Sequence, residues 1–227
     1  VKYDCQKCGD TGFIDNKMCS CMKEALTLAG IESSGFANLI KEQRFDNFSL
    51  DYYKKNMSHY EIMKENLEFL KEYAENFDAK SSQNILMMGG TGLGKTHLSS
   101  AVARKVIEKG NDVFYTGVID LISQFEIQKF KVYNNEPNEL IERYLECDLL
   151  IIDDLGTEII NQFSVSTLYN LLNDRLRRKK ITIVSTNLSR EDIQKKYTDR
   201  IISRMFGEYK ILLFAGTDIR AQKLLKK

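Results

Sequence analysis

The sequence predicts an α/β fold in which a central five-stranded parallel sheet, flanked by helices, carries a phosphate-binding loop. Three observations predict it. Ile85–Met88 is a short apolar run, and from Gly89 the letters read G-x-x-x-x-G-K-T, ending at Thr96. A second apolar run, Leu149–Ile152, ends in Asp153-Asp154-Leu155-Gly156, the pattern of a strand buried on both faces with acid at its C-terminal end. Around these, short apolar runs alternate with longer stretches of helical period, which is how parallel strands and crossover helices read.

At 227 residues the chain has room for one sizeable α/β core and a small appendage. No stretch approaches the roughly 18 uninterrupted apolar residues of a membrane span, and no secretory leader is visible, so no membrane partner is expected. The chain opens at Val1, and its natural start is expected further upstream. A net charge of +1 excludes a protein that coats nucleic acid by bulk electrostatics. Any DNA contact must come from a local patch or from many subunits together.

Four of the five cysteines fall at the front, as Cys5-Gln-Lys-Cys8 and Cys19-Ser-Cys21. Four thiolates so spaced can surround one Zn²⁺ tetrahedrally, and a segment this short has no core of its own to hold it folded. The rival readings are a disulfide pair, which a reducing compartment disfavours, and four unrelated thiols, which would be a coincidence. A site filled by four cysteines leaves no open position, so the expected zinc is structural. This thiol pattern and the missing targeting signals point to the cytoplasm. Cys147, alone before an apolar strand, reads as a packing residue.

Residues 22–44 read as a helix and its connection, broken at Gly30 and Gly35. The aromatics of Arg44-Phe-Asp-Asn-Phe48, followed by Tyr52 and Tyr53, either seal the domain edge or lie over a nucleotide base. Tyr60, Met63, Leu67, Leu70, Ala74 and Phe77 recur at helical spacing and predict a core-facing stripe. Residues 1–44 are thus set apart as a zinc-binding segment with its connecting helix, and residues 45–227 as the nucleotide-binding domain.

At the loop, Gly89, Gly90, Gly92 and Gly94 let the backbone turn its N–H groups inward around an anion. With Thr91, Leu93, Lys95, Thr96 and His97 they form the expected ATP-binding set. Lys95 can reach the β- and γ-phosphates, and the Thr96 hydroxyl can coordinate Mg²⁺. A glycine-rich turn before an ordinary helix is the bland alternative; the strand before the loop and the helix after it argue for phosphate.

Thr96–Lys109 predicts a helix stopped by Gly110, Val113–Thr116 a strand, and Leu121, Ile122, Phe125 and Ile127 a helix ended by Lys129 and Lys131. Tyr133–Glu139 reads as a loop. Asp153 is placed to hold Mg²⁺ or its water shell, and Asp154 to orient or deprotonate an attacking water, with Glu158 left open as a substitute. Leu168, Leu171, Leu172 and Leu176 stripe a helix that ends in the charge run Arg175–Lys180. Such a run either complements the helix dipole in solvent or touches DNA. Ile181–Val184 is the next strand, and Asn187 at its tip is a candidate sensor of the γ-phosphate or the attacking water. Ser189–Asp192 makes a capping box. Arg200 and Arg204 stand four residues apart on one helical face. They are either surface ion-pair partners or an arginine finger for a neighbouring subunit's γ-phosphate, with Arg200 ahead of Arg204. Ile211–Phe214 closes the sheet, and the tail after Gly216 is too short for another domain or a complete C-terminal lid.

Gly89–Thr96, Leu149–Gly156, Asn187 and the Arg200/Arg204 helix, in that order, resemble the core of an AAA+ ATPase from about residue 45 onward. Within that class three features are similar to bacterial replicative-helicase loaders of the DnaC/DnaI type, with their IstB-like ATP-binding core. These are the front cysteines with Cys8-Gly-Asp-Thr-Gly-Phe13, the Arg44–Phe48 lead-in, and the tail Gly216-Thr-Asp-Ile-Arg220. The resemblance implies a Mg-dependent ATPase that assembles head to tail, closed or as a spiral, grips single-stranded DNA, and places a DnaB-type helicase on it. It also implies that the helix over Asp120–Lys131 faces DNA, with Lys129 and Lys131 as phosphate contacts. Arg220 matches the sensor-2 arginine loosely, without the helical lid that usually presents it. The rivals are an IstB-type transposition helper, which shares the core, a nucleotide kinase, and an adaptor that binds ATP without hydrolysing it.

Overall fold

The computed structural model describes residues 3–15, 17–130 and 139–224. Between the cysteine pairs, Phe13–Ile14 (β1) and Lys17–Met18 (β2) form a small antiparallel hairpin. The main sheet holds Asn84–Met88 (β3), Val113–Gly117 (β4), Leu149–Leu155 (β5), Ile181–Thr186 (β6) and Tyr209–Leu213 (β7), in the spatial order β4-β5-β6-β3-β7. Every pairing is parallel, as expected. The phosphate-loop strand β3 is therefore an interior strand, between β6 and the edge strand β7, although it comes first of the five in the chain.

These strands read as unbroken apolar runs because helices cover both faces. Ile85, Met87, Tyr115, Ile151 and Ile183 enter one core with the helices Ser20–Ser33 (α1), Ala37–Glu42 (α2), Met57–Glu75 (α3) and Lys95–Glu108 (α4). Their alternating neighbours Leu86, Met88, Phe114, Leu150, Ile152 and Val184 enter a second core. There they meet Val118–Phe130 (α5), Glu139–Glu146 (α6), Gln162–Arg177 (α7), Arg190–Lys196 (α8) and Asp199–Gly207 (α9). Ile219–Leu224 (α10) lies over the phosphate loop through Ile219, whose N–H donates to Gly92 O at 3.0 Å. No helix among the described residues is long and apolar enough to cross a membrane.

Several local expectations hold. Met63, Leu67, Leu70 and Ala74 of α3 are buried, and Ser189 and Asp192 form the capping box that starts α8. Others are corrected. α1 runs through Gly30, which sits against Ile107 of α4, and the chain breaks only at Gly35. Glu139 opens α6 rather than closing a loop; the rest of the expected loop, and Lys131, lie outside the described residues. Arg175 does not stay solvated. It is 0% exposed and donates to Tyr144 O, Cys147 O, Ile181 O and Thr182 Oγ1. Cys147 is buried beside it, as expected of a packing residue.

The front segment is part of this packing. Ile31 and Ile40 belong to the first core, and Tyr115 N–H on the free side of edge strand β4 donates to Ser34 O at 2.7 Å.

Candidate nucleotide site

The central strands carry the site on their C-terminal ends, where open α/β sheets bind ligands. The loop Gly89–Gly94 leaves β3, Asp153 lies on β5, and Asn187 follows β6. Gly94 has φ +86°, and a Cβ there would stand 2.7 Å from Phe48 Cε2. Only glycine allows both the left-handed turn and that approach. The Tyr53 hydroxyl pins the loop from outside by donating to Leu93 O at 2.9 Å. α4 then starts at Lys95, so its unpaired N–H groups face the loop.

Lys95 is 4% exposed, and its ammonium donates to Gly89 O at 2.6 Å, Gly90 O at 2.7 Å and Asn187 Oδ1 at 2.6 Å. Burial pushes its pKa below the ordinary lysine value, while the Asp154 and Asp153 carboxylates oppose the shift. Its present acceptors are all neutral, and a phosphate oxygen is a stronger partner than any of them.

Asp153, 7% exposed, is held at both oxygens. Thr96 Oγ1 and the Tyr115 hydroxyl each donate to Oδ2 at 3.0 Å, and Ser185 Oγ donates to Oδ1. A hydroxyl and a carboxylate side by side at the end of the loop fit Mg²⁺, which takes hard oxygen ligands and keeps several waters.

Asp154 reaches the same site through a local irregularity. The register between β5 and β6 shifts after Ile152, and Asp154 takes φ +57°. In a regular strand two successive acids would point to opposite faces. Ser185 Oγ accepts from the Asp154 N–H at 3.0 Å, and Asn187 Nδ2 donates to Asp154 Oδ1 at 3.3 Å. Burial first, and then the Asp153 charge, raise the Asp154 pKa above the ordinary aspartate value, the direction that suits a general base. Glu158 is occupied elsewhere: its buried carboxylate accepts from Gly156 N at 2.8 Å and from the Tyr197 hydroxyl.

A cleft of about 270 Å³ lies over these groups, lined by Thr91–His97, Asp154 and Asn187 on one side and by Asn47, Phe48, Tyr52, Ile219, Arg220 and Lys223 on the other. In the Arg44–Phe48 strap, Phe48 packs on Tyr53, ring centroids 6.1 Å apart, and also lines the cleft. His97 lines the cleft, but its Nε2 bonds Arg44 O at 2.8 Å and its ring stands edge-on to Phe48, so it holds the strap down. Burial lowers the His97 pKa and favours the neutral ring, whose Nε2–H donates. Arg220 is close enough for its charge to lower the pKa of both Lys95 and Asp154.

Arg200 and Arg204 do not line this cleft. Arg204 donates to Asn173 Oδ1 at 3.3 Å and stands over the Tyr169 ring, whereas Arg200 is exposed on α9 beside Asn161, Val165 and Tyr169. Lys129 on α5 is exposed, its ammonium 4.9 Å from the Phe163 ring centre. At the front of the chain the sulfurs of Cys5, Cys8, Cys19 and Cys21 lie within 4.8 Å of one another. Cys8–Cys21 are 3.5 Å apart and Cys5–Cys19 3.8 Å. A tetrahedral zinc with Zn–S bonds of about 2.3 Å sets its sulfurs about 3.8 Å apart, so the four thiols fit the ion. Main-chain N–H groups of Cys8 and Lys7 draw the Cys5 thiol down to about 7.

Two partners of Asp153 were not legible as such. Ser185 reads only as part of a polar strand tip, and Tyr115 as one more residue of a buried strand. The signal for Tyr115 is a phenol in an apolar run, since a buried Tyr hydroxyl needs a partner.

A family model of IstB-like ATP-binding proteins matches residues 53–223. The chain is 29% identical over 173 residues to the replicative helicase loader DnaC of Buchnera aphidicola subsp. Baizongia pistaciae, covering 76% of this chain and 66% of that protein. It is 25% identical over 135 residues to DnaC of Escherichia coli (strain K12), covering 60% and 54%. The match thus spans less than two thirds of these relatives' own length. Among solved structures, the DnaC helicase loader aligns with a TM-score of 0.67 at 19% identity, covering 78% of this chain and 98% of that one. DnaI aligns at 0.63 and 16%, covering 80% and 92%. Both share the fold of the AAA+ core. Because the matched span contains the phosphate loop, the paired acids and Asn187, and takes in most of the chain, the protein belongs to the family of IstB-like ATP-binding proteins.

Proposed function

We propose that this protein is a Mg-dependent ATPase that uses ATP binding and hydrolysis as an assembly switch to place a replicative helicase of the DnaB type on single-stranded DNA. The observation that carries the reading is the convergence of Lys95, Thr96, Asp154 and Asn187 on one cleft, with Asp153 behind it bonded to Thr96. The loader role is supported by relatives that are named replicative helicase loaders.

In this reading Lys95 exchanges its neutral acceptors for the β- and γ-phosphate oxygens and neutralises charge there. Thr96 and Asp153 would hold magnesium, which when bound would supply electrostatic stabilisation to the phosphates. Asp154, steadied by Asn187, positions the water and takes its proton. The Asn187 amide touches both Lys95 and Asp154, which supports its assignment as the sensor of the γ-phosphate. Neither Arg200 nor Arg204 lines the cleft of its own chain, so a finger has to come from a neighbouring copy in a head-to-tail oligomer or spiral. The exposed Arg200 is assigned that role. Lys129 is assigned a DNA phosphate, the four front cysteines a structural zinc, and the reduced thiols fit the cytoplasm.

The test is ATP turnover against protein concentration, with and without single-stranded DNA and a DnaB-type helicase. The rate per subunit is expected to rise with concentration and DNA, and Arg200→Ala to remove the rise while ATP still binds. A flat rate per subunit defeats the reading. The match to the IstB-like family model favours one alternative, a transposition helper; turnover that answers to a transposase–DNA complex and not to helicase selects it.

A further inference from the structure

Asp153 depends on a residue outside the loop and the acidic strand end. Tyr115, in the middle of β4, is 0% exposed, and its hydroxyl donates to Asp153 Oδ2, the same oxygen that accepts from Thr96. A phenol has a single proton, and with that proton on Asp153 the Tyr115 oxygen shares the Ser99 hydroxyl proton, 2.8 Å away on α4, with Thr96 O at 3.1 Å from Ser99 Oγ. A donor on each carboxylate oxygen, Tyr115 on Oδ2 and Ser185 on Oδ1, fixes the rotation of the carboxylate, as partners of metal-ligating groups do.

The other side of Tyr115 belongs to the front of the chain. β4 is an edge strand, and the turn between α1 and α2 occupies its open side. Tyr115 N–H donates to Ser34 O, and the Phe36 ring lies 5.0 Å from the Tyr115 ring. Gly35, at φ +94°, approaches so closely that a Cβ would stand 2.4 Å from Tyr115 O. Arg143 of α6 secures the turn by donating to Ser33 O at 2.5 Å and to Asp112 Oδ1 at 3.1 Å. A short chain of direct contacts therefore runs from the segment that follows the cysteine cluster to the carboxylate beside Thr96.

We propose that Tyr115 is a positioning residue that orients Asp153 toward Thr96 for magnesium–ATP, and that the Ser34–Phe36 turn holds Tyr115 in that pose. The inference rests on the reading of the cleft as a magnesium–ATP site. It makes the front segment a controlling element of turnover as well as a structural one.

The test uses the full chain and three variants, of which Tyr115→Phe keeps the ring and removes the hydroxyl, and Gly35→Ala keeps the hydroxyl and forces the turn off the strand. Melting temperature, binding of a fluorescent ATP analogue in EDTA, and turnover across a magnesium titration at saturating ATP are measured. Tyr115→Phe is expected to melt and to bind in EDTA like the wild type, while the magnesium needed for half-maximal turnover rises about tenfold, the scale of one hydrogen bond to a charged group. Gly35→Ala is expected to shift the magnesium dependence in the same direction. Phe36→Leu, which removes the ring contact and keeps apolar bulk, carries the same expectation if Gly35→Ala melts early. A wild-type magnesium dependence in Tyr115→Phe overturns the positioning role. A shift in Tyr115→Phe with none in either turn variant overturns the part played by the turn. Wild-type protein that binds no nucleotide at all overturns the reading of the cleft itself, a result distinct from both.

Discussion

Arg175 shows how much one side chain can hold together. Its guanidinium joins the end of α6, the start of β6 and Cys147, and its pKa is lowered because burial opposes the charge. Arg175→Ala would strand the carbonyls of Tyr144, Cys147 and Ile181 and open a cavity. The expected loss is about 3 kcal/mol or more, seen as a lower urea midpoint with an unchanged slope. Arg175→Lys is expected to rescue only part of it, because an ammonium cannot serve the same fork of acceptors. A midpoint within error of wild type for Arg175→Ala would refute the structural role. Lys95 is the contrasting residue. It is also buried, but it lines a cleft and its three acceptors are neutral oxygens, two of them on the phosphate loop itself.

At the scale of elements, the phosphate loop and the Arg44–Phe48 strap form one unit through Gly94. The strap is held from three sides, by the His97–Arg44 bond, by Phe48 on Tyr53, and by the Asn47 side chain, which donates to Glu42 O at 2.7 Å. Gly94→Ala would place a methyl against Phe48 and strain a left-handed residue. ATP affinity is expected to fall at least about tenfold, with a modest loss of melting temperature, of the order expected when a residue is forced to positive φ. Nucleotide titration beside thermal unfolding checks both, and unchanged affinity would mean that strap and loop are independent. The β5–β6 register shift is the second device at this scale, because it lets neighbouring acids share one site.

For the whole molecule, the two cores on the faces of the sheet contain neither Cys5, Cys8 nor Cys21. The cysteine module should therefore come apart without unfolding the sheet. Purified protein is expected to hold one zinc per chain. Chelation or Cys8→Ser should expose residues near 3–21 to protease and fray the start of α1, which begins at Ser20. Residues 84–130 and 139–213 should stay protected. Mass spectrometry of the first proteolytic fragments distinguishes this from global unfolding, which would show that the module supports the entire fold.

Much of this was readable from local spacing. The loop from Gly89 to Thr96, the apolar strands and their order of appearance, the stripe on α3 and the α8 capping box are properties of neighbouring residues, and each came out as its spacing predicts. The misreadings have long-range causes. Arg175 looked like a solvated helix end because its acceptors lie up to 31 residues away in the chain. Gly30 looked like a break because its packing partner, Ile107, belongs to another helix.

The sequence by itself therefore determined the parallel α/β architecture, the phosphate loop and the identity of the candidate acids, since these depend on backbone conformation and periodicity over a few residues. Only the tertiary structure decided that Asp153 and Asp154 face one site, that Glu158 is bound elsewhere, that Arg200 and Arg204 lie off the cleft, and that Tyr115 joins the front turn to Asp153. Those outcomes depend on the register between strands and on which helix covers which edge, and neither is set by residues adjacent in the chain.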